Sequence, residues 1–184
     1  MNTIVETERL IIRELDSALD AEFIFELLNS PKFLQFIGDR GVRTLRESAA
    51  FIDDRYRQSY RDHGFGLYTV ELRGDGPKIS HAEDKAPVEN RQIGMCGFVK
   101  RDHLEFPDIG FAFLPQFEQK GYGFESASAL MGYGRNTLGF GTVLAITTLD
   151  NVASGDLLKK LGFRLARVED HGDGSLNVYE SKPS

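Results

Sequence analysis

A chain of 184 residues, 41% hydrophobic and 27% charged, is long enough to bury one sizeable core and has no compositional mark of disorder. Its formal net charge of -6 and the lack of a basic stripe argue against nucleic acid as the main partner. No apolar run approaches the roughly 20 residues of a membrane-spanning helix, and the N-terminus has no signal-peptide pattern. The one cysteine, Cys96, sits beside Met95 and Phe98 as a core residue and has no intramolecular partner, which fits a reducing cytoplasm.

In chain order, residues 9–15 are β-branched and flanked by charge, and predict a strand. Phe23, Ile24, Leu27 and Leu28 then share one helical face, with Asn29-Ser30-Pro31 as the stop. Thr44 and Glu47 have capping-box spacing; Leu45, Ala49, Ile52, Tyr56 and Tyr60 follow at helical period, and His63-Gly64 ends that helix. From Phe65 the pattern changes to strands at 66–72, 92–99 and 109–114. Between the first two, residues 73–91 are rich in Gly, Pro, Lys, Asp and Glu. They read as a long mobile hairpin loop inside one domain, either a substrate-side flap or an ordinary solvated excursion.

Residues 122–138 place Ala127, Leu130, Met131, Gly134 and Leu138 on one face, with Glu125 complementing the dipole in the first turn. A buried strand at 142–148, a helix at 151–161 and a hairpin of 164–168 with 176–179, turning at 170–174, complete the chain.

Two short segments hold the most chemical information. The first, Phe117-Glu118-Gln119-Lys120-Gly121-Tyr122-Gly123-Phe124, follows a Phe-rich strand and opens a helix on glycines. Such a turn leaves backbone N–H groups unpaired at the positive end of a helix, a site for phosphate or pyrophosphate. A tight turn that merely needs glycine for positive φ has the same sequence. The second, Asp150-Asn151-Val152-Ala153-Ser154, is a polar turn at a strand end feeding a short amphipathic helix that Gly162 stops. Helix capping is the simplest role for Asp150 and Asn151. A nucleotide-triphosphate loop fails, because no Lys-Ser/Thr follows the glycines and no acidic ribose contact is placed by a parallel βαβ unit.

The order of these parts is strand, glycine turn, long helix, strand, Asn-x-x-Ser turn, short helix, Gly-Phe, strand. In that order the chain resembles the GNAT superfamily of acetyltransferases, and within it the Rim-type branch that acetylates protein N-termini. The resemblance begins at Glu6-Thr7-Glu8-Arg9-Leu10-Ile11-Ile12-Arg13. It continues through Gln92-Ile93-Gly94 and Asp108-Ile109-Gly110-Phe111, and ends near Phe163. It implies a single α/β (α+β) domain over 1–184: a mixed, mostly antiparallel twisted sheet flanked by helices. The cofactor cleft would lie where the central strands 109–114 and 142–148 splay apart.

The activity so implied is acetyl transfer from acetyl-CoA to a primary amine, by direct attack in a ternary complex. The resemblance assigns the pyrophosphate to Gln119, Lys120, Gly121, Tyr122, Gly123 and Phe124. It assigns the pantetheine arm to the strand edge at Phe111, Ala112 and Phe113, with Asn151 on the opposite wall. Asp108 stands where the Rim-type branch has Glu and is the expected proton acceptor through a water, with Glu105 as its competitor. Many members place a Tyr on the last helix where this chain has Leu158, so Ser154 becomes the expected thiolate partner, unless it is only a polar first-turn residue. Glu118 replaces the usual Gln or Arg of the loop, and Gln119 a glycine; the first repels a pyrophosphate unless Lys120 or an arginine turns it away. No metal is implied, since the histidines at 63, 81, 103 and 171 lack ligand spacing.

The expected partner is an amine, a peptide N-terminus before a polyamine, amino acid or antibiotic, bound by a monomer or homodimer. Phe33, Phe36, Phe65 and Tyr68 either floor its cleft, with Glu105, Asp108 and Glu169 giving it negative potential, or are core residues beside carboxylates that are solvated surface. A non-catalytic acyl-CoA sensor on the same fold is the alternative that Glu118 and Leu158 favour.

Overall fold

The computed structural model describes residues 2–74, 90–171 and 174–181. Among these residues, eight strands form one sheet: β1 (Thr3–Glu6), β2 (Leu10–Arg13), β3 (Leu67–Leu72), β4 (Arg91–Val99), β5 (Asp108–Phe113), β6 (Val143–Thr148), β7 (Arg164–His171) and β8 (Gly174–Ser181). Their order is β1-β2-β3-β4-β5-β6-β8-β7. Every neighbouring pair is antiparallel except β5 and β6. A parallel pair needs a long crossover, and here it is α5 (Tyr122–Asn136).

Arg13 pairs in register with Thr69, and its side chain reaches Asp20 at the start of α1 (Ala21–Leu28). Three helices follow before β3: α2 (Pro31–Phe36), α3 (Leu45–Phe51), which packs on α1, and α4 (Gln58–His63), whose Tyr60 stacks on Tyr68 of β3. α5 packs on β4 and β5, with Gly134 against Phe98, and α6 (Val152–Lys160) packs on β6 and α5. The core runs continuously from Ile24 and Leu27 through Leu10, Ile12, Val70 and Phe98 to Leu130 and Leu158.

Several elements follow from short signals. Thr44 and Glu47 form the expected reciprocal capping box at α3. Between α3 and α4 the helix widens to a π turn over Ile52–Arg57. A four-residue repeat such as Ile52, Tyr56, Tyr60 overshoots the α-helical turn of about 3.6 residues and is served equally by i→i+5 bonding, so sequence does not separate them. Asn29-Ser30-Pro31 ends α1 as expected, but Pro31 also opens α2 as its first residue, where a missing N–H is harmless. β1 is a further strand beyond those expected, with too few apolar residues to show a period. The closing hairpin is longer than expected, at Arg164–His171 and Gly174–Ser181. Most of the expected 73–91 loop lies outside the described residues; at its ends Arg73 N–H donates to Arg9 O (2.9 Å) and Arg91 already belongs to β4.

One buried ionic cluster ties β2, β3 and β4 to the start of α1. Arg13 donates to both oxygens of Asp20 (2.8 and 2.7 Å) and to Oε1 of Glu71 (3.0 and 2.5 Å). Gln92 adds a bond to Asp20 (3.1 Å) and the Asp16 N–H another (2.8 Å). All three charged residues are buried. Desolvation alone would lower the Arg13 pKa, but the two carboxylates override it and push it up.

Candidate active site

β5 and β6 share a single pair in register, Asp108 with Leu144, closed by Leu144 N–H to Pro107 O (2.9 Å). Beyond it β5 continues to Phe113 against β4, and β6 continues to Thr148 against β8. Their facing edges are therefore unpaired with one another from Ile109 and Ala145 onward. Backbone direction alternates along a strand. Leu114 N–H points to Ile93 O on β4, so Ile109, Phe111 and Phe113 present their N–H and C=O groups to the splay. Ala112, expected beside them, turns its own to β4 and offers the cleft no main-chain group. On the far wall Ile146 follows Leu144 in facing the gap.

Pro115 ends β5 in a short 3₁₀ turn, Pro115–Phe117, and the chain then makes the glycine loop. Gln119 (φ 58°) and Gly121 (φ 83°) are both left-handed. Glycine is the natural residue for that geometry, and Gln119 carries a steric penalty that glycine would not. Gly121 caps α5 without any side-chain acceptor, so the first N–H groups of the helix have no such partner. A Cβ on Gly123 would lie 3.1 Å from Leu157 and 3.5 Å from Phe113, so glycine there also lets α5 approach α6.

A cluster from distant sequence fixes this loop. Arg9 donates to Glu125 (2.7 Å), donates to Lys120 O (3.2 Å) and lies over the Tyr122 ring, 4.6 Å from its centroid. Glu125 also accepts from Thr7 Oγ1 (2.6 Å) and Arg9 N–H (3.1 Å). Its partial burial works against ionisation, but these hydrogen bonds outweigh it and hold the carboxyl below its ordinary pKa. Glu118 is drawn aside by an ion pair, as its place beside an anion requires; the cation is Lys32 of α2. Lys120 lies by the Phe117 ring instead, 5.6 Å from its centroid. Phe124 is exposed.

Across the gap, Asn151 caps α6, its Oδ1 accepting from Ser154 N–H (3.1 Å). Ser154 itself is half-buried. Leu158 is 1% exposed and packs in the core. Gly155 leaves room for the Tyr179 hydroxyl, which would lie 2.8 Å from a Cβ there. Thr147 and Thr148, at the end of β6, each have a buried hydroxyl with no partner among the described residues.

Asp108 sits at the closed end of the splay, 2% exposed, accepting from Arg101 Nε (2.8 Å). Burial pushes its carboxyl above the ordinary range, and Arg101 offsets part of that shift. Glu105 is exposed in the preceding loop. Of the aromatics expected to floor the acceptor cleft, Phe33, Phe65 and Tyr68 are core residues, Phe65 edge-on to Phe98 and Phe140; only Phe36 is partly open. Glu169 is paired with Arg167 (2.5 Å). Among the described residues no three His, Cys, Asp or Glu side chains form a metal site, and no helix is long and apolar enough to cross a membrane.

The residues present fit an acyl-CoA ligand. The splay supplies unpaired main-chain edges for an amide-rich arm, the left-handed loop and the α5 N-terminus supply donors for a pyrophosphate, and buried hydroxyls lack partners on one wall.

A sheet opened at its one parallel pair, with a glycine loop on one side and an Asn-capped helix on the other, is the frame of an acyl-CoA-dependent transferase. The chain matches the acetyltransferase (GNAT) domain over residues 9–164 and belongs to that family. It is an acetyl-CoA-dependent N-acetyltransferase. It is 28% identical over 166 residues to the uncharacterized N-acetyltransferase YoaA of Bacillus subtilis (strain 168), covering 89% of this chain and 84% of the relative. Its fold is similar to an acetyltransferase of Agrobacterium tumefaciens str. C58, at a TM-score of 0.75 and 21% identity over 100% of this chain and 95% of the other. It is also similar to RimL, a ribosomal alpha-N-protein acetyltransferase (TM-score 0.72, 15% identity, 99% and 94% covered). A spermidine N-acetyltransferase of Vibrio cholerae in complex with CoA and spermine stands at a TM-score of 0.71, 14% identity, with 96% of each chain covered.

Proposed function

We propose that this enzyme acetylates the α-amine of a peptide N-terminus, with a small-molecule amine as the second reading. The observation that carries this choice is the pairing of acidic groups on the acceptor side. Asp108 is held by Arg101 and Glu169 by Arg167. Two of the three carboxylates expected to attract a polycation are thus compensated, which suits an acceptor of one amine better than a polyamine. The known folds of this kind include both classes of acceptor, so the site must decide.

When bound, acetyl-CoA supplies the acetyl thioester. The N–H groups of Phe111 and Phe113 face the splay and are placed to stabilise oxyanion charge at the carbonyl. An α-amine has a pKa of about 8 against about 10.4 for lysine, so more of it is neutral at pH 7. Asp108 takes the remaining proton through water, since its carboxylate is buried and bonded to Arg101. Its raised pKa makes it a stronger base than an exposed aspartate. Ser154, held at the α6 N-terminus by Asn151, donates toward the departing sulfur.

Asp108 accepts a proton only when ionised, so activity that depends on it rises as pH passes through its raised pKa. Asp108→Asn is expected to lower kcat by about 100-fold and to remove that part of the rising limb, leaving acetyl-CoA affinity within about twofold. Unchanged turnover would move the role to Glu105.

A screen of N-terminal peptides, free lysine, spermidine and an aminoglycoside, read by thiol release, tests the acceptor. Peptide α-amines are expected to react fastest. Spermidine or the lysine ε-amine outpacing every peptide would overturn this reading in favour of the second one.

A further inference from the structure

Arg101 meets the Asp108 carboxylate with Nε alone (2.8 Å). Neither of its Nη groups has a hydrogen-bond partner among the described residues, and its side chain is 39% exposed. Two other arginines that compensate carboxylates close their whole fork. Arg13 spends Nε and both Nη groups on Asp20, Glu71 and Glu14 O, and Arg9 spends the same nitrogens on Glu125 and Lys120 O. Arg101 therefore neutralises Asp108 through one edge and keeps its fork for a partner that the described chain does not supply. The fork is held in place by its turn. Val99 pairs in register with Asp108, so Arg101 rises from the same hairpin. Leu104 N–H donates to Arg101 O (3.2 Å), Lys100 Nζ donates to Leu104 O (3.4 Å), and the Leu104 side chain is buried. Asp102 and Glu105 on this connection are exposed, and neither bonds the guanidinium.

A planar guanidinium with open Nη groups matches a carboxylate in two parallel hydrogen bonds. An amine that gives up its proton toward Asp108 brings the atoms within a few bonds of its nitrogen to this fork. The Arg101–Asp108 pair is then complementary to an acceptor that carries the same two charges in reverse order. We propose that Arg101 is an acceptor-binding residue that selects amines bearing a carboxylate a few bonds from the nitrogen; in a peptide, that is an aspartate or glutamate among the first two residues. The proposal rests on the reading of Asp108 as the group that collects the amine proton.

Kinetics with matched acceptors test it. Peptides that differ only by Asp or Asn at the first or the second residue are compared at saturating acetyl-CoA, above the rising limb of the pH profile. Alanine and alaninamide form the free amino-acid pair. With wild-type enzyme the acid is expected to exceed its amide about tenfold or more in kcat/KM at one of the two peptide positions, chiefly through KM. Arg101→Gln should bring that ratio close to one, and Arg101→Lys, with the charge but no fork, should keep only part of it. The ratio compares two acceptors on the same variant, so a general loss of stability or a disturbed Asp108 leaves it unmoved. Equal rates for every acid and its amide on wild type would overturn the proposal and leave the role of Asp108 in place. A ratio that survived in Arg101→Gln would overturn it too, by giving the recognition to another residue. Turnover of alanine over alaninamide, with no peptide acetylated, would support the carboxylate contact and overturn the peptide reading. Unchanged turnover in Asp108→Asn would overturn the reading on which the proposal rests, and the proposal with it.

Discussion

Replacing Gly121 by aspartate is expected to remove measurable acetyl-CoA binding from a protein that still folds. Position 121 has φ 83° and caps α5, so any L-residue there carries roughly 1–2 kcal/mol of left-handed strain. Aspartate is among the residues that tolerate this region, and its carboxylate accepts from the orphan N–H groups of a helix N-terminus. A new Cβ would stand 3.3 Å from Arg9 Nη2, a flexible cation that can move toward the added charge. The same capping that preserves the fold fills the donors a pyrophosphate needs and adds a negative charge in its place. Gly121→Asn supplies the neutral comparison and should retain more affinity. Calorimetry on both, with circular dichroism for the fold, checks the expectation; unchanged affinity in a folded Gly121→Asp would remove this loop from the cofactor site.

The largest effect on stability is expected from Arg13→Met. The guanidinium is the common partner of Asp20 and Glu71, with four hydrogen bonds among buried groups. Methionine leaves two carboxylates facing one another without a cation. Breaking a buried ion pair from one side costs about 3–5 kcal/mol, a large part of the 5–15 kcal/mol that a domain has in total. For a chain of this size the Tm should fall by roughly 6–20 °C. Adding Asp20→Asn and Glu71→Gln to Arg13→Met should recover much of the loss, because the uncompensated charges are then gone. A single Arg13→Met variant as stable as wild type would show the cluster to be energetically neutral.

What could be read from the chain was local. The capping box of α3, the strand before the glycines, the glycine turn itself and the Asn-capped α6 depend on residues within a few positions of one another. The sequence therefore located the 118–124 loop and the 151–154 turn, and the parallel splay followed from the order of elements. The partners of those segments come from far away. Lys32, which restrains Glu118, is 86 residues from it, and Arg9, which anchors the loop, is more than 100 residues from Lys120 and Glu125. No periodicity announces such pairs.

Other features were hidden for different reasons. The aromatics at 33, 65 and 68 have the same composition as a ligand-cleft floor, and only burial shows them to be core. Ala112 lies between two residues that face the cleft, and only strand pairing shows which way its backbone turns.

The most direct test follows backbone amide resonances of the wild-type protein as acetyl-CoA is added. Saturable shifts are expected to concentrate at Gly121 to Phe124, at Phe111 and Phe113, and at Ile146 to Ser154, with the β1–β2 edge beyond Arg9 unaffected. Binding whose shifts spared both walls of the splay and clustered elsewhere on the protein would contradict the assignment of the cleft.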